Sequence, residues 1–370
     1  MSEYKGIKGF QVQTRTEDPT PYAQALADNP YVGSWSSGNS LNTARNTLMA
    51  AGTRDSNIAF AGEASGSNSN AVELYNGTSW TELGDLNTAR HSVSSAGTTT
   101  SALASGGETS TAFVAVVEEW NGSAWTETTD LNTARGEGGG AGESAEAALV
   151  FGGGPVTAVT ESWNGSAWTE VNDMNTARSQ GGGSGVQTSA LAYAGEPPDN
   201  TRNLTESWNG TNWTEVADLS VPRNGAGGNA GVSNTSALCF GGGGPNPAAN
   251  ESWNGSAWTE VADMNTARSN LGGAGTQTAA LAFNGGPEAN VGPKIYTTES
   301  WNGSAWTELP SSSNTNVAGE GAGSSGSKTS AIAFGISAYA SSGPTARTEL
   351  WNGSAWAETT DLNTGRSTLG

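Results

Sequence analysis

The chain has 370 residues, with 53 glycines, 14 tryptophans and a formal net charge of −20 from 15 basic and 35 acidic side chains. That balance argues against nucleic acid or an anionic membrane as partner. No run is apolar enough to span a bilayer, and the single cysteine, Cys239, excludes an internal disulfide framework.

Residues 1–31 form a segment without the pattern that follows. It carries Tyr4, Lys5, Ile7, Lys8 and Phe10, and so two of the four lysines of the chain. A short arm of this kind reads as a docking segment for a larger assembly, and a tail without fixed structure is the alternative. Its opening lacks the apolar run of a secretory signal, so synthesis in a cytoplasm without standard export is expected.

From residue 32 to 370 one phrase recurs. An aromatic residue, Asn-Gly, two small residues and Trp-x-Glu lead into an acidic link, usually Asn-Thr-Ala-Arg, and then a glycine-rich run. The copies begin at Tyr75, Trp120, Trp163, Trp208, Trp253, Trp301 and Trp351, and Trp35 belongs to a partial earlier copy. The second aromatics, from Trp80 to Trp356, are spaced by 43 to 50 residues. A period of this size signals an array of supersecondary units.

In the unit from Ala262 to Trp306, Arg268–Gly275 reads as a first strand almost free of side chains, suited to close backbone approach at the axis of a ring. Thr278–Phe283 reads as a buried second strand. Thr298–Trp301 and Trp306–Leu309 read as a third and fourth, joined at an Asn-Gly turn. The two aromatics flank that turn and should face each other across the hairpin. A uniform buried scaffold explains them better than a row of sugar-stacking platforms. Four antiparallel strands repeated radially make an all-β propeller. Seven blades are expected. Eight, with a composite blade made from the Ser34-Trp35 and Leu362–Gly370 segments, is the alternative.

A hydrophobic strand ending in Gly-Gly, then Glu-x-aromatic, a following Trp and an Arg resembles the kelch repeat over roughly residues 41–361. The chain departs from that pattern by carrying Trp-Asn-Gly where kelch units often have Tyr-Asp-Pro. The opening Met1–Phe10, joined to near-identical Trp-Asn-Gly-Ser-Ala-Trp units, resembles virion proteins of marine tailed phages. The resemblance implies a non-enzymatic structural or host-recognition component of a virion. It would be held to other virion proteins by the arm and would present a propeller to a host-surface glycan or protein. A cellular kelch-type protein-binding module and a carbohydrate-active enzyme are the alternatives.

Glutamates recur two residues before the first aromatic (Glu73 to Glu349) and two after the second (Glu82 to Glu358), with aspartates from Asp85 to Asp361; together they are 20 of the 35 acids. Arginine follows the second aromatic by ten residues in every copy except at Asn316. These arginines either grip an anion as a ring or pair with the carboxylates between blades; the pairing is the expected reading. His91 is the only histidine. With Cys239 it cannot supply a zinc or copper centre or a Ser/His/Asp set, so no cofactor, metal or catalytic residue is expected. Glu196, Asp199 and Glu288 are the loop carboxylates that a hydrolase would have to use.

Strand parity sends the uniform Asn-Gly hairpins to one face and the linkers between second and third strands to the other. Insertions on one face of a repeat array often form its binding face. The linkers are short at Pro155–Thr157 and Pro245–Pro247, and long at Pro287–Thr297 and Ile336–Arg347. The long ones hold Lys294, Ile295, Tyr296, Tyr339 and Arg347. With Arg202 and Phe113 from other linkers they form the expected binding patch, because Tyr and Arg are favoured contact residues.

Overall fold

The computed structural model describes residues 41–358 apart from 46, 54, 65, 198–201, 225–229, 270, 284, 287–296, 310–322, 328–329, 335–336, 339–342, 345–347 and 352–355. These residues form seven four-stranded antiparallel sheets and no helix. Each sheet is built from one continuous stretch of chain, its strands adjacent in sequence order. Sheets 1 to 7 begin at Met49–Thr53, Ser94–Thr98, Gly139–Ser144, Gly182–Val186, Ala230–Ser233, Gly272–Thr276 and Gly323–Ser327. Each of these first strands lies beside the next, and that of sheet 7 lies beside that of sheet 1, so the ring is closed. The fold is therefore an all-β propeller. An eighth sheet has no place between neighbours that already touch, and the terminal segments expected to build one lie outside the described residues.

Sheet 4 shows how residue type dictates the layers. Its first strand, Gly-Gly-Ser-Gly-Val, lines the hub. Close packing there excludes side chains: a Cβ on Gly140 of sheet 3 would stand 2.9 Å from the carbonyl oxygen of Ser95 in sheet 2. The second strand, Ser189–Tyr193, is buried over its last four residues. It pairs with Thr205–Trp208, which pairs with Trp213–Glu215, whose Thr214 and Glu215 face water.

Among the described residues the tryptophans are buried scaffold, Trp258 alone being half-buried. The two aromatics of each unit are direct cross-strand partners, as in Trp163↔Trp168 and Trp208↔Trp213, with ring centroids 5.3 and 5.5 Å apart. Such a pair adds about 0.5–1.5 kcal/mol beyond its burial. The first indole also ties its own sheet together: Trp163 Nε1 donates to Ala145 O at the tip of the first hairpin, at 2.7 Å. The second indole joins neighbouring sheets. Trp213 of sheet 4 meets the edge of Phe151 of sheet 3 at 4.9 Å, and Trp258 of sheet 5 meets Tyr193 of sheet 4 at 5.1 Å.

The Asn-Gly turn departs from the expected geometry in one respect. Only the glycine takes positive φ, 92° at Gly122. Asn121 instead caps the turn, its Oδ1 accepting the N–H groups of Ser123 and Ala124 at 3.0 Å each.

Candidate functional site

The arginines are committed to the scaffold, though not between two sheets. Arg90 sits in the link that leaves sheet 1, and its Nη1 donates to Glu118 Oε1, in the third strand of sheet 2, at 2.5 Å. Its other donors go to Gly106 O and Ala104 O. Glu118 also accepts the backbone N–H of Asn87 at 2.7 Å and its side-chain amide at 2.9 Å. Each link into sheets 1 to 6 is pinned in this way to the sheet it is about to enter, by one buried carboxylate and one guanidinium sharing a single close contact. Pairs of this kind recur at Arg45–Glu73, Arg135–Glu161, Arg178–Glu206, Arg223–Glu251 and Arg268–Glu299, all buried. Burial lowers the affinity of the guanidinium of Arg178 for its proton, partly offset by Glu206, and raises the Glu73 carboxyl against the opposing pull of Arg45. An arginine buried with a carboxylate and carbonyls has no donor aimed at solvent, so the ring does not offer an anion site.

What remains for binding is the linker face. There the link entering a sheet forms a two-way backbone bridge with the residue after the second strand: His91↔Glu108, Gly136↔Gly154, Ser179↔Glu196, Asn224↔Gly243 and Ser269↔Gly286. One residue further on, Thr47, Ser92, Glu137 and Gln180 all adopt the left-handed conformation, with φ of 49° to 54°. None is glycine, and each costs roughly 1 kcal/mol in that region. Around the hub the Glu137 N–H donates to Ser92 O at 2.9 Å, and the Gln180 N–H to Glu137 O at 3.2 Å. These two hydrogen bonds join sheets 2, 3 and 4 at the hub.

Over the bridges lie side chains from the preceding linker. Asn68, in a small hairpin of the sheet 1 linker (Glu63–Ala64 with Ser67–Asn68), accepts through its Oδ1 from His91 Nδ1 at 3.0 Å. Asn68 also donates to Glu108 O at 3.1 Å. Phe113, from the sheet 2 linker, lies against Gly136 and Gly154. Arg202, from the sheet 4 linker, meets Glu196 at 3.3 Å and Asn224 at 3.4 Å, and Asn224 donates to Glu196 as well. The sheet 3 linker, Pro155–Thr157, is too short to cover the Ser179↔Glu196 bridge. Val156 there is the one large hydrophobic residue exposed among those described. Between sheets 3 and 4 a small cleft opens, lined by Glu137, Phe151, Met174, Arg178 and Ala192.

Of the expected patch, Arg202 and Phe113 are described, and they belong to separate contacts on sheets 4–5 and 2–3. Arg202 is tied down rather than free. Lys294, Ile295, Tyr296, Tyr339 and Arg347 lie outside the described residues, as do Asp199, Glu288 and the docking residues Tyr4, Lys5, Ile7, Lys8 and Phe10. The sheet 7 linker contains a two-stranded hairpin, Ser337–Ala338 with Gly343–Pro344, beside the hairpin of the sheet 1 linker. Sequence reading missed Asn68, Glu137 and Gln180. Asn68 belongs to a Ser/Asn-rich turn that could have been read as a hairpin, whereas nothing in the sequence marks the left-handed positions. Among the described residues no three His, Cys, Asp or Glu side chains stand together as a metal site.

No family model and no curated protein matches the chain. Among solved structures it is similar to one described as the structure of YjhT, with a TM-score of 0.55 at 14% identity, covering 73% of this chain and 98% of that one. At that identity the likeness establishes the propeller fold alone.

Proposed function

We propose that this protein is a non-enzymatic structural or host-recognition component of a tailed-phage virion, with a kelch-like propeller as its binding platform. The single observation behind the reading is the asymmetry of the two faces. The hairpin face repeats one tip, while the linker face changes chemistry at every sheet: an imidazole and carboxylate, then a phenyl ring, an open bridge, and a guanidinium. A scaffold that varies on one face only is built to present that face. The resemblance of the opening Met1–Phe10 and of the near-identical units to virion proteins supports the setting, with the arm docking to other virion proteins.

The face is suited to a neutral or cationic partner. Among the described residues Arg202 is the one cation outside the buried Arg–Glu pairs, and it is matched by Glu196. Mass spectrometry of purified phage particles tests the reading. The chain should be present at a stoichiometry of several copies per particle, and its absence from washed particles would discard the proposal.

A further inference from the structure

We propose that Phe113, Glu137 and Gln180 form a subsite for the ring of a neutral sugar on the linker face, over sheet 3, between the sheet 2 linker and the link that enters sheet 4. It deepens the host-recognition reading, and rests on it only for the source of the glycan.

The seat of Phe113 is built. Sheet 3 alone among the described bridges has glycine at both positions, where its neighbours carry His91 and Glu108 or Ser179 and Glu196. Among the described residues the sheet 2 linker alone lays an aromatic ring over the bridge that follows it. A Cβ on Gly154 would stand 2.8 Å from Cζ of Phe113, and one on Gly136 would stand 3.1 Å from its Cδ1. The two missing side chains make the space in which the ring lies against the backbone. The ring is partly exposed. A flat apolar surface held this way at the surface stacks against the carbon-bearing face of a sugar, as aromatic platforms do for other ring ligands.

Polar groups stand beside it. Glu137 follows Gly136 directly, and Gln180 Nε2 donates to both of its carboxylate oxygens at 3.3 Å. Both residues take the left-handed conformation, and the Gln180 N–H donates to Glu137 O, which joins their backbones. Glu137 is half-buried and lines the cleft between the sheets, and Gln180 is exposed. Among the described residues, the short Pro155–Thr157 linker leaves this corner without the cover present at sheets 2, 3 and 5. Carboxylate and amide oxygens accept hydrogen bonds, so the ligand must donate them, as sugar hydroxyls do. An ammonium group would also be drawn here, but an acidic surface attracts it everywhere and needs no seated ring. Anionic sugars are disfavoured by Glu137 and Glu196.

The test is an array of immobilised neutral, amino and sulfated oligosaccharides, probed with the full chain and with Phe113→Ala, Glu137→Ala and, on an outer strand, Thr214→Ala. All variants are first checked for an unchanged circular dichroism spectrum and melting temperature. The wild type is expected to bind at least one neutral glycan, with little change at 0.3 M salt. Phe113→Ala and Glu137→Ala should each weaken it by about tenfold or more, and Thr214→Ala should leave it within about twofold. Should Phe113→Ala unfold the chain, Gly154→Ser, whose Cβ displaces the ring, takes its place. No neutral glycan bound, binding lost in salt, or binding retained in both variants would overturn the subsite. Particle composition is read separately, so a virion protein lacking this subsite is told apart from a chain that is not a virion protein.

Discussion

The seams between sheets 3 and 4 and between 4 and 5 differ from those between 1 and 2 and between 2 and 3 in what meets the outer indole. In the first pair, the outer indoles Trp213 and Trp258 donate to the hydroxyls of Thr160 and Thr205, at 2.9 and 2.8 Å. In the second, the same strand position is Val72 or Val117, and the buried Nε1 of Trp125 and of Trp168 has no hydrogen-bond partner. Ring packing persists between sheets 1 and 2, where Trp125 meets Phe60 at 4.9 Å, whereas between sheets 2 and 3 the place of Phe60 is taken by Ser105. The first strands still lie side by side there, so the ring and the hydroxyl each add a margin that some seams have and others lack. The seams also differ at their outer edge. Sheet 4 reaches back through the Gln187 amide to Ser162 Oγ of sheet 3, at 3.0 Å. Between sheets 2 and 3 the corresponding place holds Glu119 and Glu146.

Removing the shared element should cost most. Trp213→Ala and Trp125→Ala are each expected to lose about 3–5 kcal/mol in urea unfolding. Equal losses would show that the hydroxyl is secondary to the ring, and a far smaller loss at Trp125 would show the opposite. Next is Thr160→Val, which strands the Trp213 N–H and should lose about 1–3 kcal/mol. The reverse change, Val117→Thr, supplies an acceptor to Trp168 and should gain about 0.5–1.5 kcal/mol; a loss would mean that the hydroxyl cannot reach the indole.

The smallest effect is electrostatic. Burial, and then the neighbouring Glu146, hold the Glu119 carboxyl above its ordinary value. A carboxyl raised on folding favours the folded state below its unfolded value, and that contribution disappears as pH rises through the raised value. Glu119→Ser should therefore raise the melting temperature slightly at pH 7 and make no difference at pH 3. A loss at pH 7 would show that Glu119 helps the seam. Cys239, buried in sheet 5 against the 4–5 seam, reports on the same comparison. Burial pushes its thiol up to about 11. A thiol reagent at pH 8 should label it only as that seam opens, and slower than it labels a cysteine placed at Val117.

Much of the scaffold could be read from the chain, because it is written many times over. The Trp–Trp register, the bare hub strand and the pairing of Arg with the glutamate before the first aromatic all follow from spacing that the copies share. The partner sheet of that Arg was misread, since a link between two sheets gives no sign of which one it is fastened to. The linker face was legible as variable and illegible in detail. Phe113 meets Gly136 and Gly154 only because a backbone bridge brings two distant glycines together, and isolated glycines carry no such message. Glu137 and Gln180 carry no propensity for the conformation they adopt. It goes with the hydrogen bonds that join sheets 2, 3 and 4 at the hub, and those form between sheets rather than within any segment.

Every described sheet uses one unbroken stretch of chain, and no strand is exchanged across the join between sheet 7 and sheet 1. Closure there depends on the same side-by-side packing as everywhere else. A gene encoding such a wheel can therefore gain or lose a whole unit by unequal recombination between its near-identical segments, with every strand ladder left intact. The circumference becomes an inherited variable, and a lineage can renew one sector of the rim without renegotiating the hub.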